Sequence, residues 1–275
     1  MPAAGSEDKH IPVALTIGGS DSSGGAGIQA DLNTFQRFGV YGTSVVTALT
    51  AQSTTGISAI HPIPPEMVVE QYFQVMGDIE VDAVKTGMLL NVEIITALAE
   101  AFDDHPPPNL VVDPVMMSGT GVRLLDTPAL ESMIELIFPR AITVTPNLAE
   151  AAEITGSGPI DTPEAMADAA VEIQRLGSKT VLVKGGHLSG NYDAVDILCD
   201  GETLTEFRSP RSNLQHVHGT GCAYSAAVTA GLAKGSSLSA SIPSAKSYIT
   251  EAISDAVLLG GGARLLIYPH PEEED

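Results

Sequence analysis

Short apolar runs alternate along the chain with longer segments in which apolar residues recur at helical spacing. The runs predict buried β-strands, at 13–17, 42–51, 83–88, 110–116, 141–147 and 180–187. The periodic segments predict α-helices, at 28–38, 64–77, 91–102, 126–138, from 147 onward, 162–176, 222–234 and 239–259. A polar turn is expected at 52–56, and two shorter strands at 193–198 and 203–207. This alternation predicts an α/β fold, with a mostly parallel central sheet and helices on both faces.

Several of the predicted strands end in polar residues, glycine or methionine. Because ligands of such sheets bind beyond the carboxyl ends of the strands, these residues are candidates for ligand binding. They are Gly19, Gln52, Met88, Asp113, Asn147 and Lys184. Glu150 joins them on the helix that Asn147 caps. Taken singly, Lys184 could equally close a strand end and Asp113 could shape a turn before Pro114. Their joint placement favours one shared crevice.

The acidic composition limits the classes of molecule that the protein is expected to bind. The chain has 275 residues and a mass of 28.5 kDa, enough to bury the core of one α/β domain. Thirty-four acidic and thirteen basic residues give a formal charge of −21, which argues against nucleic acid or an anionic membrane surface as partner. Because concentrated salt screens such self-repulsion, adaptation to a salt-rich cytoplasm is a hypothesis.

Cysteine usage and the chain ends favour a cytoplasmic location. Cys199 and Cys222 are too few for a disulfide framework and match no zinc pattern. Residues 1–10 lack the apolar core of a signal peptide, and no apolar run reaches membrane-spanning length. We expect one domain at 12–268 between acidic tails at 1–11 and 269–275.

A glycine-framed turn, Gly219-Thr220-Gly221-Cys222, leads into a helix of small residues. Both glycines can take positive φ, so that successive N–H groups point into one concavity and hold an anion. Cys222 falls in the first helical turn, where the helix dipole is expected to lower its pKa. A tightly packed helix start with a buried cysteine remains the alternative.

A second glycine loop, 18–27, links the first strand to the first helix. Its spacing differs from the dinucleotide fingerprint, so a nicotinamide or flavin site is not favoured. Asp31 is expected in the first turn of that helix, either as a solvated carboxylate or as an acceptor that faces the loop. Gln52 offers an amide to the edge of a heterocycle, or caps a turn.

Together these residue types suit phosphoryl transfer, which needs anion donors, a divalent cation and a base. Asp113 and Glu150 can hold Mg²⁺ directly or through water, and Lys184 can offset the charge of nucleotide phosphates. Cys222 would take the proton. The Walker and protein-kinase motifs are missing from the sequence, which argues against those folds.

Five ordered motifs resemble the hydroxymethylpyrimidine/phosphomethylpyrimidine kinases of thiamine biosynthesis. They lie at 19–31, 113–116, 145–150, 184–187 and 219–222, within a similarity that runs from about 13 to 267. The resemblance implies a three-layer ribokinase-like fold. It also implies that ATP and Mg²⁺ serve two steps in one site: phosphorylation of 4-amino-5-hydroxymethyl-2-methylpyrimidine, and then of its monophosphate.

The resemblance assigns roles by motif. Gln52 would bind the pyrimidine edge and Asp31 its amino side, while the ring would be lined by Gly19, Met88 and Val115. Cys222 replaces the aspartate base of related sugar kinases, and the anion hole would consist of Gly219, Thr220 and Gly221. The nucleotide side would contain Lys184, Asn147 and Lys246, with Asp113 and Glu150 toward the metal.

Some features depart from the family or leave alternatives open. The segment 118–122 differs from the usual Ser-Gly pattern, and we expect this flexible stretch to cover the site. The family resemblance also implies a homodimer, and we expect the kinase alone, without an added phosphate-synthase domain. A pyridoxal (vitamin B6) kinase is the alternative enzyme, and a non-catalytic ligand-binding relative is the alternative of another class.

Overall fold

A computed structural model describes residues 10–268 except 187, 189–192, 202, 213 and 215. Most of the two predicted tails (1–9 and 269–275) and His187 of the last predicted long strand lie outside the described residues. Within the described part, a nine-stranded sheet has the order β3-β2-β1-β4-β5-β6-β7-β8-β9. Its strands are β1 (Val13–Asp21), β2 (Tyr41–Ser53), β3 (Gly56–Pro62), β4 (Ala83–Thr86), β5 (Leu110–Val112), β6 (Thr143–Val144), β7 (Thr180–Gly185), β8 (Ala194–Asp200) and β9 (Thr203–Ser209).

The centre of the sheet is parallel and its two edges are antiparallel. Strands β2, β1, β4, β5, β6 and β7 pair in parallel, as predicted. At one edge β3 pairs antiparallel with β2, and at the other β8 and β9 continue antiparallel from β7. The parallel strands therefore all point their carboxyl ends to one rim.

Helices cover both faces, which confirms the predicted three-layer architecture. They are α1 (Gly27–Arg37), α2 (Pro65–Asp78), α3 (Val92–Asp104), α4 (Thr127–Leu136), α5 (Leu148–Thr155), α6 (Pro163–Gln174), α7 (Thr220–Ala233) and α8 (Leu238–Ser254). One apolar core contains buried residues of α2 to α6, and a second contains those of α1, α7 and α8. None of the helices in the described ranges has both the length and the apolar character needed to span a bilayer.

Helix α7 packs closely because its residues are small. Ala226, Ala227 and Ala230 are fully or almost fully buried. A Cβ at Gly231 would approach Ser241 Oγ of α8 to 2.5 Å. Small side chains on α7 therefore let α8 approach, and they hold the start of α7 against the sheet.

The structure differs from the predicted elements at a few places. The polar turn is shorter than predicted, because β2 continues to Ser53 and β3 begins at Gly56. A small parallel ladder, β10 (Val217–His218) with β11 (Arg264–Leu265), was not predicted. Helix α8 ends at Ser254 rather than at 259.

Candidate active site

A cavity of about 1210 Å³ opens at the carboxyl ends of the parallel strands. All the predicted site residues line it: Gly19, Asp31, Gln52, Met88, Asp113, Val115, Asn147, Glu150, Lys184, Gly219, Thr220, Gly221, Cys222 and Lys246. The residues expected at the strand ends therefore do lie together in one cavity. The volume of this cavity exceeds the usual range for a single small-molecule pocket, so the cavity has room for two ligands side by side.

The glycine turn forms the start of α7. Gly219 has φ of +79°, and a Cβ there would lie 1.8 Å from the carbonyl oxygen of Gly25. The first helical bond runs from Ala223 N–H to Gly219 C=O at 2.9 Å. The three N–H groups before Ala223 therefore have no partner inside the helix, which suits an anion. Gly221 differs from the expectation, because its φ is not positive and it belongs to the helix.

Cys222 lies half-buried on the cavity wall, and the expected lowering of its pKa is wrong. Burial raises the pKa of the thiol to about 11, and the nearby carboxylates of Asp31 and Asp113 act in the same direction. The ammonium of Lys85 and the backbone N–H of Gly27 oppose this rise. Desolvation and two negative charges thus outweigh the favourable helix start.

Asp31 belongs to a buried ion pair that was not predicted. It is the fifth residue of α1, beyond the first turn in which we expected it. Lys85 Nζ donates to both of its oxygens, at 2.9 and 2.8 Å, and Thr16 Oγ1 donates to Oδ2 at 2.6 Å. Lys85 interrupts the apolar run of β4, and a charge inside a buried strand was the available signal.

A second buried pair joins Asp113, the residue directly after β5, to Lys184 of β7. Lys184 Nζ donates to Asp113 Oδ1 at 2.6 Å, and Ser225 Oγ donates to Oδ2 at 3.0 Å. Burial alone would lower the pKa of Lys184, but the carboxylates of Asp113 and Glu150 reverse the effect and raise it. Both oxygens of Asp113 therefore already have a donor, which leaves less room for direct metal ligation than expected.

Asn147 and Glu150 form a capping box at the start of α5. Glu150 N–H donates to Asn147 Oδ1 at 3.0 Å, and Asn147 N–H donates to Glu150 Oε2 at 2.8 Å. Burial raises the pKa of Glu150 to about 7, with Asp113 contributing and Lys184 opposing. The pair has a structural role at the helix start and also faces the cavity.

At the opposite wall, Gln52 contacts a histidine with no predicted role. Gln52 Nε2 lies 3.0 Å from His218 Nε2, which is also 3.1 Å from Asp21 Oδ2. Thr50 Oγ1 donates to Gln52 Oε1 at 3.1 Å. Hydrogen bonds from His218 and Ser23 hold the pKa of Asp21 below its usual value in spite of its burial. The histidine directly precedes the glycine turn, which was the only sequence signal.

The other residues expected to line the ring form an apolar wall. Met88 packs with Leu124, and Val115 is half-buried beside them. A Cβ at Gly19 would lie 2.2 Å from Met88 Cε, so glycine at this position leaves room for the methionine. Thr47 Oγ1 donates to the carbonyl oxygen of Met88 at 2.6 Å, which fixes its backbone.

Lys246 lies farther along the cavity in a network that includes an unpredicted carboxylate. Its Nζ is 2.7 Å from Asp196 Oδ2, which also accepts from Tyr224 OH at 2.7 Å. The backbone N–H of Gly185 donates to Asp196 Oδ1 at 3.0 Å. The lysine is therefore held by β8 rather than free.

The segment 118–122, which we expected to cover the site as a flexible stretch, forms backbone hydrogen bonds. Ser118 N–H donates to the carbonyl oxygen of Val122, and Leu124 N–H to that of Met116, both at 2.8 Å. Gly119 and Thr120 line the cavity. A short hairpin loop thus closes one side of the site.

Comparisons with known proteins point to one family. The family model for phosphomethylpyrimidine kinase matches residues 21–266. The chain is 49% identical over 248 residues to the thiamine biosynthesis bifunctional protein ThiED of Geobacter sulfurreducens, a match that covers 90% of this chain and 50% of that protein. It is 48% identical to the hydroxymethylpyrimidine/phosphomethylpyrimidine kinase of Rhizobium meliloti, with 89% and 91% covered. A crystal structure of an ADP complex of Bacillus subtilis pyridoxal kinase has a TM-score of 0.87 at 38% identity, with 94% and 98% covered.

Proposed function

Because the chain belongs to the phosphomethylpyrimidine kinase family, we propose that it transfers phosphoryl groups from ATP to 4-amino-5-hydroxymethyl-2-methylpyrimidine and then to its monophosphate. The product would enter thiamine diphosphate biosynthesis. The observation that carries the proposal is the family match over 21–266, with the motif residues gathered in one cavity. The added half of the bifunctional relative lies outside this match, so the proposal covers the kinase activity alone.

The pyrimidine is proposed to bind at the wall that includes Gln52. The Gln52 amide matches a donor and acceptor edge of the ring, and Met88 and Val115 offer it an apolar surface. Asp31 Oδ1 accepts from Lys85, and a carboxylate oxygen has a further acceptor site for the ring amino group. The absence of a side chain at Gly19 leaves the space that Met88 needs beside the ring.

The reacting end is proposed to lie at the glycine turn. The free N–H groups of Thr220 and Gly221 would bind the transferred phosphoryl group, and Lys184 lies beside them: a Cβ at Gly221 would be 3.5 Å from its Nζ. Cys222 would accept the proton of the attacking hydroxyl. A thiol with a pKa near 11 is mostly protonated at neutral pH, so the rate is expected to rise with pH.

The nucleotide and the metal are proposed to occupy the side with Asn147 and Lys246. The described residues contain no group of three or more His, Cys, Asp or Glu side chains arranged around a metal position. Mg²⁺ commonly keeps several waters and uses one or two carboxylates plus phosphates, which fits Glu150 with Asp113 behind Lys184. When bound, Mg²⁺ would neutralise charge on the transferred phosphates.

The molecular setting is part of the same proposal. We propose one kinase domain at 12–268 and a cytoplasmic location, which the two free cysteines support. A homodimer is supported by the apolar side chains that β2 exposes, Tyr41 (60% exposed) and Leu49 (48%), and by the frequency of twofold dimers. The formal charge of −21 supports neither nucleic acid nor membrane as a partner.

Pyridoxal kinase is the second candidate, because of the similarity to the Bacillus subtilis structure. The test offers the pyrimidine, its monophosphate and pyridoxal in parallel with ATP and Mg²⁺, and resolves the products by mass. Mono- and diphosphate from the pyrimidine are expected, with loss of both when EDTA removes the metal. Phosphorylation of pyridoxal alone would move the proposal to the second candidate, and no turnover on any of the three would favour a binding protein.

A further inference from the structure

A short C-terminal segment touches two elements of the site at once. We call residues 260–265 the strap. On one side, Ala263 N–H donates to the carbonyl oxygen of Thr54 at 2.9 Å, and Gly262 N–H to Thr54 Oγ1 at 3.3 Å. Thr54 lies at the tip of the β2–β3 hairpin, two residues after Gln52. On the other side, Arg264 N–H donates to the carbonyl oxygen of His216 at 2.9 Å.

The second side of the strap holds the histidine of the site. Leu265 pairs with His218 in the β10–β11 ladder. A Cβ at Gly25 would lie 2.6 Å from Leu265 Cδ2 and 2.7 Å from His218 Cδ2, so both side chains pack over the same glycine. Leu265 is buried and thereby limits where the His218 ring can move.

The two elements that the strap joins meet at one contact in the cavity. Gln52 lies on the hairpin, His218 lies on β10, and their Nε2 atoms are 3.0 Å apart. Gly262 and Ala263 themselves line the cavity. Four consecutive residues thus fix both partners of this contact, two through the hairpin and two through β10.

We propose that the strap is a positioning element of the pyrimidine subsite, which sets the Gln52 amide relative to His218. The inference rests on the proposed function, because it concerns the amide that would read the ring edge. The strap contributes no group to the reaction. Loosening it should therefore weaken pyrimidine binding and leave the binding of ATP unchanged.

The three glycines of the strap provide matched variants, because none of them has positive φ and they differ in what a methyl group would meet. At Gly262 a Cβ would be 2.0 Å from the carbonyl oxygen of Thr54 and 2.9 Å from Thr55 Cα, a clash with backbone. At Gly260 it would be 2.4 Å from Thr54 Oγ1, a side-chain atom. At Gly261 the nearest atom is Thr55 Cγ2 at 3.9 Å, ordinary contact.

The experiment measures pyrimidine binding by calorimetry without ATP, together with kcat and both KM values, for four variants. Gly262→Ala is expected to raise the Kd and KM of the pyrimidine about tenfold or more, with the KM of ATP within about twofold, as expected when positioned hydrogen bonds are lost. Gly261→Ala is the control and should match the wild type. Gly260→Ala should weaken binding, and Thr54→Ala in the same chain should restore most of it by removing the clashing atoms. The double variant gives up the longer bond from Gly262 N–H to Thr54 Oγ1 but keeps the bond from Ala263 N–H to the carbonyl oxygen of Thr54.

Thermal melting followed by circular dichroism separates positioning from folding. Should Gly262→Ala melt far below the wild type, the comparison of Gly260→Ala with its Thr54→Ala double variant decides the question. Unchanged pyrimidine affinity in folded Gly262→Ala or Gly260→Ala, or equal losses for pyrimidine and ATP, would overturn the strap inference. A wild-type protein that neither binds nor phosphorylates the pyrimidine would instead contradict the proposed function.

Discussion

Lys85 and Asp31 form an almost completely buried ion pair, with Nζ 2.9 Å from Oδ1 and 2.8 Å from Oδ2. The pair joins β4 to α1 at the wall of the cavity, which both residues line. Burial raises the pKa of Asp31 and would lower that of Lys85, but the Asp31 charge reverses the latter effect. Each partner therefore depends on the other for its charge.

Removing one partner of this pair should destabilise the protein strongly. Lys85→Met leaves a buried carboxylate without its cation, and such a loss costs about 3–5 kcal/mol. Urea denaturation followed by circular dichroism measures the free energy of unfolding. Adding Asp31→Asn to the same chain should recover a large part of the loss, since neither position of this pair then carries a buried charge. A loss below about 1 kcal/mol for Lys85→Met would show that water or another group replaces the lysine.

Cys222→Ser should keep the fold and lose most of the turnover. The hydroxyl is close in size to the thiol but is a far weaker acid, and loss of a general base costs about 10²- to 10⁴-fold in rate. The measurement is kcat with the pyrimidine, and the control is a melting temperature within a few degrees of wild type. In the wild type, kcat should rise between pH 7 and pH 9 because the pKa of the thiol is near 11. Wild-type turnover in the variant would mean that Cys222 only fills space.

Glu150→Gln should change how stability depends on pH. Burial raises the pKa of Glu150 from an ordinary 4.5 to about 7 in the folded protein. Between these values the unfolded chain loses the proton and the folded chain keeps it, so wild-type stability falls as pH rises through this window.

The glutamine variant does not titrate, and its side chain can still accept from the Asn147 N–H group. Near pH 8 it should be more stable than wild type by about 1–3 kcal/mol, since each pKa unit corresponds to about 1.4 kcal/mol. Near pH 4.5 the two proteins should be equal. Denaturation curves at both pH values test this, and a pH-independent difference would contradict it. Turnover should fall in the variant if Glu150 supports the metal.

Salt should stabilise the protein more than it stabilises a neutral one. The formal charge of −21 means that acidic side chains repel one another in the folded protein, and salt screens that repulsion. We expect the melting temperature to rise between about 0.1 M and 2 M KCl. Potassium glutamate and sodium chloride at equal ionic strength should give similar shifts if screening is the cause. A flat or falling melting temperature would remove the basis for salt adaptation, which stays a prediction.

Much of the architecture could be predicted because apolar runs report burial directly. The parallel strands and the helices agree with the pattern to within a few residues. Strand β3 was not predicted because its side chains are largely exposed. Its sequence therefore has no apolar run, and Ile57 and Ile60 are separated by small residues. The β10–β11 ladder has only two residues on each side, too few to leave a pattern.

The sequence predicted which residues lie in the site better than it predicted their hydrogen-bond and ion-pair partners. The positions of the motifs were enough to predict that Asp113, Lys184 and Cys222 line one cavity. The pKa of a site residue depends on burial and on neighbours that are distant in sequence. The pKa of Cys222, for example, is raised by burial and by the charge of Asp31. The partnership of Lys85 with Asp31 spans 54 positions and left no local sign beyond a charge in an apolar strand.

The close approach of Gly219 to Gly25 restricts how this protein can be recombined with its relatives. The oxygen of Gly25 occupies the space that any side chain at position 219 would need. A turn exchanged from another protein would therefore fit only if it kept glycine at this position, or if the loop around Gly25 were exchanged with it. The two segments lie almost two hundred positions apart, yet they form one module, and chimeras that set a side chain at position 219 against the Gly25 loop should fail to assemble a working phosphate cradle.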